Sequence, residues 1–137
     1  MNYRKGYKYQ LTEDYDYVLE GFPAWPKEFE TDYLFLGEDN FLVIKKGYTS
    51  DGPSGPTIDT KNFMRGAFVH DALYQLIRLG ALEKVPCRKL ADKLLYKLCR
   101  EDGMCWPRAT WVYYGVRIFG NPHVKREKPT LATTPKS

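Results

Sequence analysis

The stretch GAFVHDALYQLIR has apolar residues at intervals of three and four. This spacing keeps one side of an α-helix apolar and predicts a buried helix. The glycine- and proline-rich segment that precedes this stretch indicates that the helix begins near Thr60 or Lys61. The helix is predicted to end near Gly80. His70 and Asp71 interrupt the apolar stripe. Because a buried polar group is costly without a partner, the pair belongs either to a satisfied structural network or to a functional site.

Two further helices are predicted downstream. Pro86 stands near the first turn of the second helix, Gly103 predicts its end, and its apolar stripe consists of Leu90, Leu94, Leu95 and Leu98. The third helix is predicted to begin after Trp106-Pro107 and to end at Gly120. Its large side chains are expected to pack onto the core, with an interfacial membrane-binding role as the alternative: Trp106, Trp111, Tyr113, Tyr114 and Phe119.

The N-terminal part of the chain carries strand patterns. Two β-rich runs, Tyr33 to Leu36 and Phe41 to Lys45, flank the turn-forming residues GEDN and predict a hairpin. The tyrosine-rich residues 3–19 predict one or two short strands. The next segment, TSDGPSGPTID, holds two glycines and two prolines. It is predicted to be a shaped loop without regular structure.

Together these elements predict an α+β fold: a small N-terminal β hairpin or sheet and a three-helix core. The first two helices are expected to pack antiparallel because their connection is short. A chain of 137 residues can bury a core of its own as one domain. We assign residues 1–120 to this single α+β domain. Residues 121–137 contain little apolar material and are predicted to form a flexible C-terminal tail.

Composition excludes several classes of protein. The chain is 43% hydrophobic and 28% charged, and its apolar runs are too short to span a bilayer. The N-terminal residues MNYRKGYKYQ lack an apolar segment, so no signal peptide is predicted. The net charge of +4 is spread along the chain except in the tail HVKREKP. It could help docking on anionic lipid or nucleic acid, but a solvated surface is the commoner explanation, and no specific nucleic-acid partner is predicted. The three cysteines form no C-x-x-C pair and are predicted to be reduced thiols.

The candidate chemistry centres on His70. Tyr74 lies one helical turn later and shares its face, whereas Asp71 projects about 100° away. Asp92 lies in the middle of the second helix, and antiparallel packing would bring it to His70 and Tyr74. A carboxylate in this position fixes the imidazole tautomer and stabilises its protonated form. The other ring nitrogen is then able to take a proton from water.

The loop ahead of the first helix contains a candidate calcium site. Asp51 contributes a carboxylate, and glycine and proline shape the chain around Gly52 so that backbone carbonyls can converge. Oxygen ligands of this kind suit a hard cation such as calcium. The alternative is that Asp51 caps a turn.

The motif HDALY, followed by an aspartate in the middle of the next helix, resembles the H-D-x-x-Y signature of secreted phospholipase A2. The resemblance is closest to the small bacterial and fungal members and covers residues 50–120, about half the chain. It implies the two antiparallel helices of that family. It also implies that His70 is the general base, that Asp92 orients it and that Tyr74 braces Asp92.

The same resemblance implies a calcium ion bound by the carboxylates of Asp71 and Asp51 and by the carbonyl of Gly52. The ion would bind the lipid phosphate and polarise the sn-2 ester carbonyl. The sequence departs from this family in one respect. The secreted enzymes have a disulfide between a cysteine near the loop and a cysteine just before the H-D pair. Pro53 and Ala67 lie near the corresponding positions here, so that disulfide is absent.

A second and more specific resemblance runs through KGYTSDGPSGPTID, HDALY, RKLADKLLY and VRIFG. These stretches are similar to an uncharacterised domain family common in bacteriophages and prophages, which brings no established activity. The implied location is the host cytoplasm or the virion. The sequence indicates no oligomeric state.

Two functions therefore stay open. One is calcium-assisted ester hydrolysis of a glycerophospholipid, with a membrane phospholipid surface as partner. The other is a non-enzymatic phage accessory or virion protein that binds virion proteins and keeps the His-Asp network as a structural lock. An enzyme needs His70 and the loop to be accessible to solvent, whereas a lock would bury them.

Overall fold

The structure, a computed structural model, describes residues 1, 3–5, 9–23, 28–50 and 61–119. Residues 51–59 of the predicted loop, and the predicted tail at 121–137, lie outside these residues. The strands are β1 (Tyr3–Lys5), β2 (Tyr9–Leu11), β3 (Tyr15–Val18), β4 (Phe29–Glu30), β5 (Leu34–Leu36), β6 (Phe41–Ile44) and β7 (Thr49–Ser50). The helices are α1 (Lys61–Arg78), α2 (Lys84–Glu101) and α3 (Trp106–Phe119). Strands followed by helices confirm the α+β fold. None of these three helices has the length and apolar character needed to cross a membrane.

The described strands form two antiparallel sheets. One has the order β1-β2-β7, and the other has the order β3-β6-β5-β4. Strands β5 and β6 form the predicted hairpin, whose turn includes Asn40 at a φ of 58°. Successive residues of a strand point to opposite faces. One face of this hairpin is therefore fully buried, through Leu34, Leu36, Leu42 and Ile44.

Helix α1 lies at the centre of the core. Phe68 is fully buried and packs against the rings of Tyr3 and Tyr48, at centroid distances of 5.8 and 6.4 Å. The hydroxyl of Tyr48 also donates to Oε1 of Gln75 at 3.1 Å. The strands thus cover one side of α1, while α2 covers another. As a result, α1 is buried on more of its circumference than the single apolar stripe predicted.

Helices α1 and α2 are antiparallel, as predicted. Near the start of α1, Arg65 donates to Glu101 at 2.8 Å and to Asp102 at 3.0 Å, and these acids lie at the end of α2. Further along α1, His70 contacts Asp92, which lies earlier in α2. The order of the contacts along the two helices is therefore reversed.

The two helices approach each other closely at Gly66. A Cβ at this position would lie 2.9 Å from Cδ1 of Leu95 and 3.2 Å from Sγ of Cys99. These distances are shorter than ordinary contacts between packed carbon and sulfur atoms. The absent side chain therefore allows the close approach one turn before His70.

The structure corrects the predicted loop at its first two residues. Thr49 and Ser50 form β7 and pair with Gln10 and Tyr9 of β2, respectively. Pairing with an existing strand satisfies backbone groups that a surface loop would leave to water. A strand of two residues is too short to produce a periodic sequence pattern, which is why the glycines and prolines of the segment dominated the prediction. The same limit applies to β4.

The aromatic residues of α3 also differ from the expectation that they pack onto the core. Trp106, Trp111 and Tyr114 are exposed at 63%, 51% and 58%. Tyr113 is half-buried against Tyr96, with the ring centroids 6.5 Å apart. The side chain of Phe119 lies outside the described set. The helix packs instead through smaller residues: Ala109, Val112 and Val116.

Candidate functional site

His70 and Asp92 meet between α1 and α2. Nε2 of His70 lies 2.7 Å from Oδ1 of Asp92. Asp92 is fully buried in the middle of α2, and His70 is 7% exposed. This is the pairing that the sequence predicted from antiparallel helices.

Tyr74 joins the same carboxylate oxygen. Its hydroxyl donates to Oδ1 of Asp92 at 2.5 Å, and its ring centroid lies 4.1 Å from that of His70. Tyr74 follows His70 by four residues, which places both on one face of α1. The three residues predicted to be catalytic are therefore in contact.

Arg117 of α3 binds the other oxygen of Asp92. Its Nη1 donates to Oδ2 at 3.0 Å. The Arg117 side chain is 29% exposed, so the ion pair reaches from a fully buried carboxylate toward solvent. A buried carboxylate is tolerated when its charge is compensated and its oxygens accept hydrogen bonds. Both conditions are met at Asp92.

Arg88 of α2 fixes the end of α3 that carries Arg117. Its Nη2 donates to the carbonyl oxygens of Val116 at 3.0 Å and of Arg117 at 2.7 Å. The last carbonyls of a helix lack partners within the helix, and a cation at this end is favourable. Arg88 therefore positions the backbone from which Arg117 extends to Asp92.

Neither arginine was predicted as a site residue. The sequence contains a signal for Arg117, which is a charged residue within the apolar run YGVRIFG. Asp92 has the same kind of signal, because it lies among leucines. Its partner could not be inferred, since no spacing rule relates α3 to α2 across an intervening turn. Arg88 binds backbone carbonyls, and no pattern of side chains indicates such contacts.

The network sets the protonation state of Asp92. Burial alone would raise the pKa of this carboxyl group, but hydrogen bonds from His70, Tyr74 and Arg117 hold the pKa below its ordinary value. Asp92 is therefore ionised at neutral pH. Burial, and then the hydrogen bond to Asp92, raise the pKa of Tyr74 well above its ordinary value. The tyrosine hydroxyl consequently stays protonated and acts as a donor.

These states define what the His70 ring can do. A carboxylate only accepts hydrogen bonds, so we assign the hydrogen between His70 and Asp92 to Nε2. Nδ1 is then the ring nitrogen that can accept a proton. The negative charge of Asp92 would stabilise the resulting imidazolium. Of His70 and Asp92, only His70 is accessible to solvent, and its exposed fraction is small.

Cysteine offers no second nucleophile in the described part of this region. Cys87 and Cys99 are buried, and burial raises the pKa of both thiols, that of Cys99 to about 12. A thiol with a raised pKa is a poor nucleophile at neutral pH because its thiolate fraction is small.

The predicted calcium ligands are only partly described. Asp71 follows His70 on α1 and is half-buried. Asp51 and Gly52 lie outside the described residues. Within the described ranges, no group of three or more His, Cys, Asp or Glu residues could hold a metal ion. The calcium site therefore stays a prediction.

The fold and the site together define an α+β protein with a buried His-Asp-Tyr-Arg network on three helices. The chain belongs to the DUF1353 family, which is described as proteins of unknown function. The family model matches residues 27–116, which include His70, Tyr74, Arg88 and Asp92. No curated protein and no solved structure matches the chain.

Proposed function

We propose that this protein hydrolyses a carboxylic ester of a glycerophospholipid, with His70 as the general base. The observation that supports this proposal is the 2.7 Å contact between Nε2 of His70 and the ionised Asp92. A general base needs a fixed tautomer and a stabilised protonated form, and a carboxylate on the opposite nitrogen provides both. The lipid substrate comes from the resemblance of HDALY and Asp92 to secreted phospholipase A2.

In the proposed reaction, Nδ1 of His70 takes a proton from a water molecule as that water attacks the ester carbonyl. Asp92 stabilises the imidazolium while the tetrahedral intermediate exists. The carbon–oxygen bond to the leaving alcohol then breaks, and the imidazolium returns its proton to the alkoxide. The products are a fatty acid and a lysophospholipid, and His70 is neutral again.

The other residues of the network act through Asp92. Tyr74 and Arg117 keep the carboxylate ionised and fix its plane, so its Oδ1 stays directed at Nε2 of His70. The resemblance adds calcium, which when bound would polarise the ester carbonyl and hold the phosphate. Its proposed ligands are Asp71, Asp51 and the carbonyl of Gly52.

A second candidate function is favoured by the burial of the network. Asp92 is fully buried and His70 is 7% exposed, and the described hydrogen bonds of Asp92 are all internal. In this alternative the network locks α1, α2 and α3 together in a non-enzymatic phage accessory or virion protein. Such a protein would lose stability but no activity when His70 is changed.

Hydrolysis of a phospholipid carrying a fluorescent sn-2 chain tests the proposal. We expect release of the labelled fatty acid by the wild type in the presence of calcium, and no release by His70→Gln. Glutamine can still donate to Asp92 but cannot take a proton from water. His123→Gln is the matched control, because it makes the same change at the only other histidine of the chain.

Two results would contradict the proposal: no fatty-acid release by folded wild-type protein, or equal release by His70→Gln. Urea unfolding of both variants distinguishes the alternatives. A large loss of stability in His70→Gln without any wild-type hydrolysis would support the structural lock. Calorimetric titration of calcium into the wild type and Asp71→Asn tests the metal separately, and binding lost in the variant would support Asp71 as a ligand.

A further inference from the structure

Helix α3 has two apolar faces rather than one. Its inner face packs against α2 through Ala109, Val112 and Val116. Three larger side chains each follow an inner residue by two positions: Trp111, Tyr114 and Ile118. Two residues correspond to about 200° around a helix, so the second set lies on nearly the opposite side. We call this set of three residues the outer face of α3.

The outer face is exposed to solvent. Trp111, Tyr114 and Ile118 are 51%, 58% and 67% exposed. Tyr114 also packs edge to face on Tyr113, with the centroids 5.4 Å apart. Isolated exposed apolar residues are common, but several along one face of a helix are typical of an interaction surface.

The charge of α3 and of the sequence that follows it indicates the kind of partner. Helix α3 contains no acidic residue and two arginines, Arg108 and Arg117, and the charge of Arg117 is compensated by Asp92. The sequence that follows, residues 121–137, has four basic residues and one acidic residue. A second copy of the chain would bring like charges together, whereas an anionic surface complements them. Tryptophan and tyrosine with flanking basic residues are typical of segments that bind the interface of a bilayer.

We propose that the outer face of α3 binds the surface of an anionic phospholipid membrane. This inference extends the proposed function and rests on it for the choice of a lipid surface over other apolar partners. The position of the face fits that choice. Ile118 follows Arg117, which contacts Asp92 of the His70 site, so the membrane-binding face ends beside the site that would act on lipid.

Co-sedimentation with vesicles tests the inference without turnover, because it uses His70→Gln and a calcium chelator. We expect this protein to bind vesicles of phosphatidylglycerol and phosphatidylcholine more tightly than vesicles of phosphatidylcholine alone. Adding Trp111→Glu and Ile118→Glu should weaken binding to the anionic vesicles by about tenfold or more, because two apolar anchors become acidic. Val18→Glu is the matched control, since Val18 is 49% exposed on β3, outside α3.

Three results would overturn the inference: no binding to anionic vesicles, equal binding by the Trp111→Glu and Ile118→Glu protein, or an equal loss in Val18→Glu. A dimer in solution that the two α3 substitutions convert to a monomer, without vesicle binding, would instead assign the outer face to a second copy.

The failure of this inference can be distinguished from the failure of the proposed function. Vesicle binding without hydrolysis by the wild type would overturn only the enzyme, whereas hydrolysis of a short-chain lipid dispersed as monomers, without vesicle binding, would overturn only the docking surface.

Discussion

Arg117 of α3 donates to the fully buried carboxylate of Asp92 on α2, with Nη1 and Oδ2 3.0 Å apart. This contact links the third helix to the His70 pair. The other oxygen of Asp92 accepts from His70 and Tyr74. One carboxylate therefore joins side chains from all three helices, and its ionisation depends on each of them.

Arg117→Gln is expected to lower the free energy of unfolding by about 2 kcal/mol. Removing one partner of a buried ion pair is strongly destabilising, but Arg117 is partly exposed and two other donors remain on Asp92. Urea unfolding at pH 7 measures the change. Arg4→Gln is the control, because Arg4 is exposed on β1. A variant at Arg117 as stable as the wild type would show that the contact does not hold α3 in place.

Tyr74→Phe is expected to cost about 1.5 kcal/mol, since it removes one hydrogen bond to a charged acceptor and leaves the ring in place. The proposed hydrolysis should fall less than in His70→Gln, because His70 and Arg117 still bind Asp92. Urea unfolding and the fluorescent lipid assay give the two readouts. Tyr17→Phe is the control, because it makes the same change at a half-buried tyrosine on β3, outside the His70 network and the outer face of α3. An equal loss of stability in both variants would contradict the role given to the Tyr74 hydroxyl.

Stability should decrease as the pH falls below about 4. The pKa of Asp92 in the folded protein is lower than its ordinary value of 3.8, so the folded state favours the ionised form. That contribution is fully present above the unfolded pKa and is lost as the pH falls through the folded pKa. Thermal unfolding from pH 7 to pH 2 measures it.

Asp92→Asn should lower the stability at pH 7 and flatten the decrease below pH 4, because the titrating group is gone. Asp16→Asn, an exposed position on β3, should keep the wild-type pH profile. Identical slopes in the two variants would assign the acid sensitivity to other carboxyl groups.

Much of the helical part could be predicted because its signals are local. The apolar spacing and the glycines located α1 and α2, and a short connection implied antiparallel packing. That packing alone places Asp92 opposite His70 and Tyr74. Two-residue strands such as β7 depend on a partner strand far along the chain, so they leave no periodic pattern. The Arg117 contact likewise depends on how α3 folds back, and the outer aromatic residues of α3 could not be distinguished by composition from core residues.

The close approach at Gly66 gives a prediction with an internal control. Gly66→Ala adds a Cβ that would lie 2.9 Å from Leu95 Cδ1 and 3.2 Å from Cys99 Sγ, so packing must shift. Gly115→Ala in α3 meets nothing within 4 Å. Alanine favours a helix over glycine by about 1 kcal/mol, so Gly115→Ala should stabilise the protein by up to that amount.

At Gly66 the same gain is opposed by overpacking, which typically costs about 1–3 kcal/mol. We expect Gly66→Ala to be less stable than Gly115→Ala by about 2 kcal/mol in urea unfolding. Because the shift would also separate α1 from α2, the proposed hydrolysis should fall in Gly66→Ala and not in Gly115→Ala. Equal stabilisation by both substitutions would show that Leu95 and Cys99 move aside freely, and that the contact between His70 and Asp92 does not depend on a glycine at this crossing.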